Sequence, residues 1–301
     1  LTTPPPSGGS TPTAPAPPTL RRLLEETRAA LADAPNPPHP REEERLLLAA
    51  SGLRTVDLLA DPDRRAGAGV AERLARYVSR RLAGEPIQYL LGEWEFRGHP
   101  IRCDRRALIP RPETEMIVDI LAELAPEATS LLDLGTGSGA IALAARLELP
   151  KLGRIVAIDR SPGAAALARE NARCLGARIA VVAGCWADPL APRVRFDAVV
   201  SNPPYIDPAR EPELPPEVRD FEPKEALFAG GGGLDAIGEV LDAAERRLVP
   251  GGLLVVEIGS DQEEEVRRLC EGRSLLRPLG IRRDLAGRIR FLVARRGAGA
   301  P

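Results

Sequence analysis

The stretch LLDLGTGSGAIAL, residues 131–143, decides the fold class. A strand-like apolar run, LLDL, enters the turn GTGSG at 135–139, and a helical run rich in Ala and Leu follows. Glycines at 135, 137 and 139 let backbone approach a ligand closely at a strand-to-helix turn. A tight turn without any ligand would use the same residues. The next apolar run, RIVAID, ends on Asp159, 24 residues after Gly135. In doubly wound sheets an acid at that place accepts hydrogen bonds from both ribose hydroxyls. Alone, Asp159 reads equally as an acid at a helix N-terminus. With the glycines it points to a ligand that contains a nucleoside.

Outward from this stretch, the runs SLLDL, RIVAID, RIAVVAG, FDAVVSN and GGLLVVEIG are short and apolar. The first four are each followed by a helix or an irregular crossover, the pattern of a parallel sheet covered on both faces. SLLRPLG and RIRFLVARR close the chain without a helix between them, which predicts an antiparallel pair at one edge. The fold class expected is therefore α/β: a doubly wound, mostly parallel seven-stranded sheet with an antiparallel edge. It occupies residues 109–297. Ahead of it, WEFRGHPIRC places Gly98 between two β-like runs, so residues 86–108 read as a β-hairpin linker. Residues 19–85 read as a small helical domain: Thr19 caps a first helix, REEER opens a second that stops at Gly52, and TVDLLADP is a short third. In the fourth, Val70, Leu74, Val78 and Leu82 are expected to face inward. With 12 basic and 11 acidic residues, this domain reads equally as a packing module or a partner-docking module. Residues 1–18 hold seven prolines and no apolar run, the composition of a disordered tail.

The bulk numbers exclude several classes. A net charge of −2 gives no global basic field for nucleic acid, and only Lys151 and Lys224 are lysines among 41 basic residues. Cys103, Cys174, Cys185 and Cys270 are scattered without a C-x-x-C pair, against both a disulfide framework and a structural zinc site. No metal is expected. No membrane-length apolar run and no signal-peptide core are present, so a cytoplasmic protein is expected, with the start left open by the initial Leu1. His39 and His99, both flanked by proline, read as turn residues rather than catalytic bases.

At 201–206 the chain reads SNPPYI, straight after the apolar run FDAVV. Two prolines end a strand, and Asn202 and Pro203, each before a proline, are pushed toward extended backbone. The result is a stiff corner at the carboxyl end of a strand, where ligands of open α/β sheets bind. The glycine spacing G-x-G-x-G departs from the dinucleotide fingerprint, and DLGTGSGAIAL followed by AID resembles the signature of S-adenosylmethionine-dependent methyltransferases. NPPY resembles the motif of those that alkylate planar nitrogens. Such an enzyme needs no strong base, because attack turns the nitrogen into an acidic cation. The Asn202 side-chain oxygen and the Pro203 carbonyl would each take one N–H of the target –NH₂, and Tyr205 would stack on the flat amide.

GEPIQYLLGEWEFRGHPI, LIPRPETE, LLDLGTGSGAIAL, SNPPYI, FEPKEAL and DLAGRIRFL together, over residues 20–296, resemble the bacterial release factor glutamine methyltransferases. The resemblance implies N5-methylation of the glutamine in the Gly-Gly-Gln loop of class 1 peptide chain release factors, which the helical domain helps to dock. The related reactions on a large-subunit ribosomal protein or on nucleic-acid adenine are the alternatives. It further implies that S-adenosylmethionine is held by Gly135, Thr136, Gly137, Ser138, Gly139, Asp159, Trp186 and Asn202. The substrate glutamine falls to Asn202, Pro203, Pro204, Tyr205 and Arg111, with Asn202, Pro203 and Tyr205 catalytic. Glu113 shapes the wall or caps a helix. No direct nucleic-acid contact is expected, and a monomer suffices. Two positions depart from the family: Cys185 stands where an acid is usual before the Trp186 position, with Asp188 a candidate replacement, and Gly232 stands for Asp. Trp94, Phe96 and Phe221 are candidate substrate contacts, with packing favoured for Trp94, and the acid-rich stretch Glu211 to Glu225 reads as a solvated loop.

Overall fold

The computed structural model describes residues 16–298 except 33, 36 and 37, so most of the expected Pro-rich tail lies outside the described residues. The chain divides into two compact units between Gly84 and Glu85. The first holds α1 (Leu20–Leu31), α2 (Glu42–Ser51), α3 (Thr55–Ala60) and α4 (Val70–Leu82). The Thr19 hydroxyl caps α1 by accepting the Arg22 N–H at 3.3 Å. Gly52, at φ +69°, ends α2 with its N–H on the Leu48 carbonyl. The Pro17 and Pro18 carbonyls accept from the Arg65 guanidinium at 2.6 Å and the Ala66 N–H at 2.9 Å, so hydrogen bonding to this unit begins before Thr19.

The inward face expected for α4 is corrected. Val70, Leu74 and Arg81 are buried, whereas Leu82 is exposed. Steps of four residues overshoot a 3.6-residue turn by about 40° each, so Leu82 lies about 120° from Val70 and Arg81 only about 20°. Arg81 Nε donates to Glu42 Oε1 at 2.6 Å, and both side chains are fully enclosed. A charge at that place is tolerated because its partner is buried with it.

The second unit begins with α5 (Ile87–Leu91), unexpected from the sequence, and the antiparallel hairpin β1 (Glu93–Phe96) and β2 (His99–Arg102). Its two-residue turn needs positive φ at both positions, found at Arg97 (+52°) and Gly98 (+74°). The Arg97 guanidinium reaches Glu148 at 2.7 Å and Asp119 at 3.0 Å, which ties the hairpin to α6 (Met116–Leu124) and α7 (Ala140–Glu148). His99 opens β2 rather than sitting in the turn, 3.3 Å from Glu148.

Seven strands form the main sheet: β3 (Ser130–Leu134), β4 (Arg154–Asp159), β5 (Ala180–Ala183), β6 (Phe196–Ser201), β7 (Leu248–Glu257), β8 (Leu276–Arg283) and β9 (Ile289–Arg296). Their order is β5-β4-β3-β6-β7-β9-β8, parallel from β5 to β7 and antiparallel at β9 and β8. The expected fold class is the one found. Side chains alternate across the sheet: Leu131 joins the core under α6 and α7, while Leu132 and Leu134 join the core under α11 (Asp235–Arg247) and α12 (Glu263–Glu271). With both faces covered, β3 is buried at every residue, which explains its unbroken apolar run. The remaining helices are α8 (Pro162–Cys174), the short α9 (Pro216–Phe221), and α10 (Gly230–Gly233), a single kinked turn.

Candidate active site

The strand order reverses direction between β3 and β6: from β3 the chain crosses to β4 on one side, and β6 lies on the other. Loops leaving the carboxyl ends of two such strands diverge and leave a crevice. In register Leu134 stands opposite Ser201, so the glycine turn and the Asn-Pro-Pro-Tyr corner are neighbours by construction. A cavity of about 320 Å³ opens there. Gly135, Thr136, Gly137, Ser138, Asp159, Trp186, Asn202, Pro204 and Arg111 line it.

Gly139, Pro203 and Tyr205 are off its wall. Gly139, at φ +86°, leaves no room for a side chain: a Cβ would sit 3.1 Å from that of Ala168, so this glycine serves the approach of α7 to α8. Tyr205 is partly buried, and its hydroxyl donates to Glu257 at 3.3 Å. Desolvation and the Glu257 charge raise the phenol well above its ordinary range, so it stays protonated.

Asp159 holds the glycine turn in place. One carboxylate oxygen accepts the Gly137 N–H and the other the Ser161 N–H, both at 2.8 Å. Burial raises its pKa while these bonds pull it down. Each oxygen retains a lone pair beyond that bond. Beneath the turn, Thr136 donates to the enclosed Asp133 at 2.6 Å, a carboxyl that burial pushes up to about 7.

The wall also contains residues that the sequence reading did not select. Glu239 of α11 accepts the Trp186 indole N–H, and Cys185 stands beside them. Desolvation, then Glu239 and Asp188, raise the Cys185 thiol, which favours the neutral form. Asp188 is not on the wall, whereas Glu239 is. Glu222 is buried; it pairs with Arg111 and accepts the Ile109 N–H at 3.1 Å, clamping the LIPRP segment. Glu225, itself exposed, lines the cavity as well; of the acid-rich stretch Glu222 is the buried, structural member, while Glu213, Asp220 and Glu225 are exposed as a solvated loop requires. Glu113 bonds Arg288 at 2.9 Å away from the cavity. Phe96 is a core residue that also touches the cavity, whereas Trp94 and Phe221 pack against Tyr89, Cys103 and Ile109. His99 is not on the wall. No group of three or more His, Cys, Asp or Glu among the described residues is arranged to hold a metal, and no described helix is long and apolar enough to cross a membrane.

Two enclosed carboxyls, Asp133 and Glu257, are both pushed up to about 7 by burial. Raised folded values mean that the folded state binds protons more tightly than the unfolded chain. The resulting stabilisation is complete below about 4, the ordinary carboxyl range, and is lost as pH rises through about 7. Each accounts for on the order of 3 kcal/mol between pH 4 and 8. Denaturant titrations at pH 5 and pH 8 should show the protein less stable at pH 8, and Asp133→Asn should reduce that difference.

Residues 22–92 match the family described as PrmC N-terminal domain, and residues 112–213 match the methyltransferase small domain. The crystal structure of a methyltransferase from Pyrococcus furiosus shares the fold at a TM-score of 0.50, with 19% identity over 67% of this chain and 91% of that one. The matched domain, with the relatives that follow, defines a methyltransferase. The release factor glutamine methyltransferase of Geobacter sulfurreducens is 41% identical over 277 residues, covering 90% of this chain and 97% of its own length. That of Moorella thermoacetica is 42% identical over 283 residues, covering 92% and 99%. The chain belongs to the release factor glutamine methyltransferase family.

Proposed function

We propose that this enzyme transfers a methyl group from S-adenosylmethionine to the side-chain nitrogen, N5, of the glutamine in the Gly-Gly-Gln loop of class 1 peptide chain release factors. The observation that carries the reading is Asn202. It follows β6 on the wall of the switch-point cavity, and no described donor reaches its Oδ1. An unengaged amide oxygen beside a glycine turn is an acceptor waiting for an N–H.

The residues present fit the cofactor. Gly135 and Gly137 have positive φ and no side chain to fill the turn, and Asp159 offers its remaining lone pairs to a ribose. Asp159, Glu225, Asp235 and Glu239 line the wall, against Arg106, Arg111 and Arg160. Arg106 is already paired with Asp104 and Glu170, and Arg111 with Glu222. The surplus is negative, which suits a sulfonium cation. When bound, S-adenosylmethionine supplies the electrophilic methyl group. Trp186, on the wall with its indole N–H held by Glu239, would offer its ring to the adenine.

The remaining work falls to the chain's own residues. An amide nitrogen is a poor nucleophile because its lone pair is delocalised into the carbonyl. Asn202 Oδ1 takes one N–H on the cavity wall, and the Pro203 carbonyl, beside it in the chain but off that wall, is the acceptor proposed for the other; this aims the nitrogen and favours localisation of the lone pair as the nitrogen–methyl bond forms and the methyl–sulfur bond breaks. The methylated nitrogen is strongly acidic and loses its proton to water, without a dedicated base.

Labelled S-adenosylmethionine, offered with a release factor, a large-subunit ribosomal protein or adenine-containing DNA and RNA, tests the substrate. Label is expected on the release factor. Label confined to one of the other substrates would replace the reading, and a separate titration reports cofactor binding.

A further inference from the structure

The Asn202 amide can face its target with either its oxygen or its –NH₂, and only the oxygen can accept an N–H. What holds it the right way round is visible in three segments far apart in sequence. Glu257, the last residue of β7, is 1% exposed. Its Oε2 accepts from the Thr114 hydroxyl at 2.6 Å, and Thr114, in the 3₁₀ turn Pro112–Glu115, is itself buried. Thr114 Oγ1 lies 3.1 Å from Asn202 Nδ2. On the far side, Glu257 Oε1 accepts from the Tyr205 hydroxyl at 3.3 Å, and Tyr205 accepts from Arg290 at 3.3 Å.

The direction of every bond in this chain follows from its ends. A guanidinium only donates and an ionised carboxylate only accepts. Tyr205 takes a hydrogen from Arg290 and therefore gives its own to Glu257. Thr114 has one hydroxyl hydrogen, and it goes to the carboxylate. Toward Asn202 the hydroxyl can then only accept, so the atom facing it must be the –NH₂, and Oδ1 is turned away from Thr114.

Resting on the function proposed above, we infer that Thr114 and Glu257 are positioning residues that fix the Asn202 amide with its oxygen free for the target N–H. They act through Asn202 and are off the reaction itself. Burial pushes the Glu257 carboxyl up to about 7, against its bonds from Thr114 and Tyr205 and the charge of Arg290, with Glu113 adding to the rise. A protonated Glu257 can donate to Thr114, which frees the threonine hydrogen and lets the amide turn over. The relay therefore operates in the ionised state, and turnover should rise with pH through about 7.

Three variants test this. Thr114→Val keeps the shape and removes the hydroxyl; kcat should fall by about 10²-fold, the scale of a misaligned reacting group, with cofactor Kd changed less than about threefold. Thr114→Ser restores the hydroxyl and should recover most of kcat. Glu257→Gln, close in shape and uncharged, should lose both turnover and the rise with pH, and it carries the same test if Thr114→Val proves too unstable. Independently of activity, exchange of the Asn202 side-chain amide hydrogens followed by NMR should quicken in Thr114→Val and not in Thr114→Ser. Wild-type kcat in Thr114→Val, a Ser variant as slow as Val, or unchanged amide exchange would each overturn the relay. A wild-type enzyme inactive on release factors would instead overturn the proposed function, and the exchange measurement would still decide the relay.

Discussion

Asn202→Ala is expected to lose methyl transfer by about 10³-fold or more, because it removes both an acceptor aimed at the reacting nitrogen and the means of orienting it. Its effect on folding should be small. The side chain is half-buried, and its one hydrogen bond within the described residues runs to the Thr114 hydroxyl. Loss of one such bond costs about 1 kcal/mol. In a unit of this size that lowers the melting temperature by about 2–4 °C. Cofactor affinity should fall far less than turnover, since Asp159 and the glycine turn remain intact. Measured together, turnover, melting temperature and cofactor Kd separate a target-positioning residue from a structural one. Near-normal turnover in this variant is incompatible with the mechanism.

Gly233→Ala is expected to do its damage through the backbone. Gly233 has φ +87°, and a Cβ there would lie 2.2 Å from the Tyr205 carbonyl oxygen and 2.8 Å from Gln262 Nε2. Those two atoms are themselves bonded at 2.9 Å, and the bond anchors the end of the Asn-Pro-Pro-Tyr corner. A left-handed alanine costs roughly 1–2 kcal/mol, and forcing the packed backbone apart costs roughly 1–3 more. The variant should therefore be roughly 2–5 kcal/mol less stable and should transfer methyl groups poorly even where it folds, because the corner must move. Gly232→Ala is the matched control: its φ is +70°, yet the nearest atom is Asp207 Oδ2 at 4.0 Å. It should show the conformational cost alone. Equal stability and turnover in the two variants would separate Gly233 from the corner.

These sites show what can be read from a single chain. The seven strands and their order of appearance are legible because a sheet covered on both faces needs short unbroken apolar runs, and each run here is bounded by a turn or a helix. The hairpin turn at Arg97 and Gly98 is legible for a similar local reason. The inward face of α4 is less so: four-residue steps drift around a 3.6-residue helix, and the residue that replaces Leu82 inside is Arg81, made tolerable by Glu42 some 39 positions away. Long-range polar pairs leave no local trace. Glu257 lies unremarked inside the apolar run GGLLVVEIG, yet it joins Thr114 and Tyr205. Glu222 reads as one acid in an acidic loop, yet it clamps Arg111. Glu239 carries no motif in the sequence, yet it meets Trp186 at the cavity. The motif residues that line the cavity, Asp159 among them, could be named from their pattern; the roles of Glu222, Glu239 and Glu257 could not, because their partners are set by the fold.

The proposed reaction modifies a single nitrogen atom, and peptide mass mapping can locate it. A natural release factor and one with its loop glutamine changed to Ala would each be incubated with the enzyme and S-adenosylmethionine, digested and sequenced by fragmentation. One methyl group is expected, placed by the fragments on the side-chain nitrogen of the Gly-Gly-Gln glutamine, and none in the altered partner. Methylation at another residue, or equal methylation of both partners, would contradict the proposed reaction.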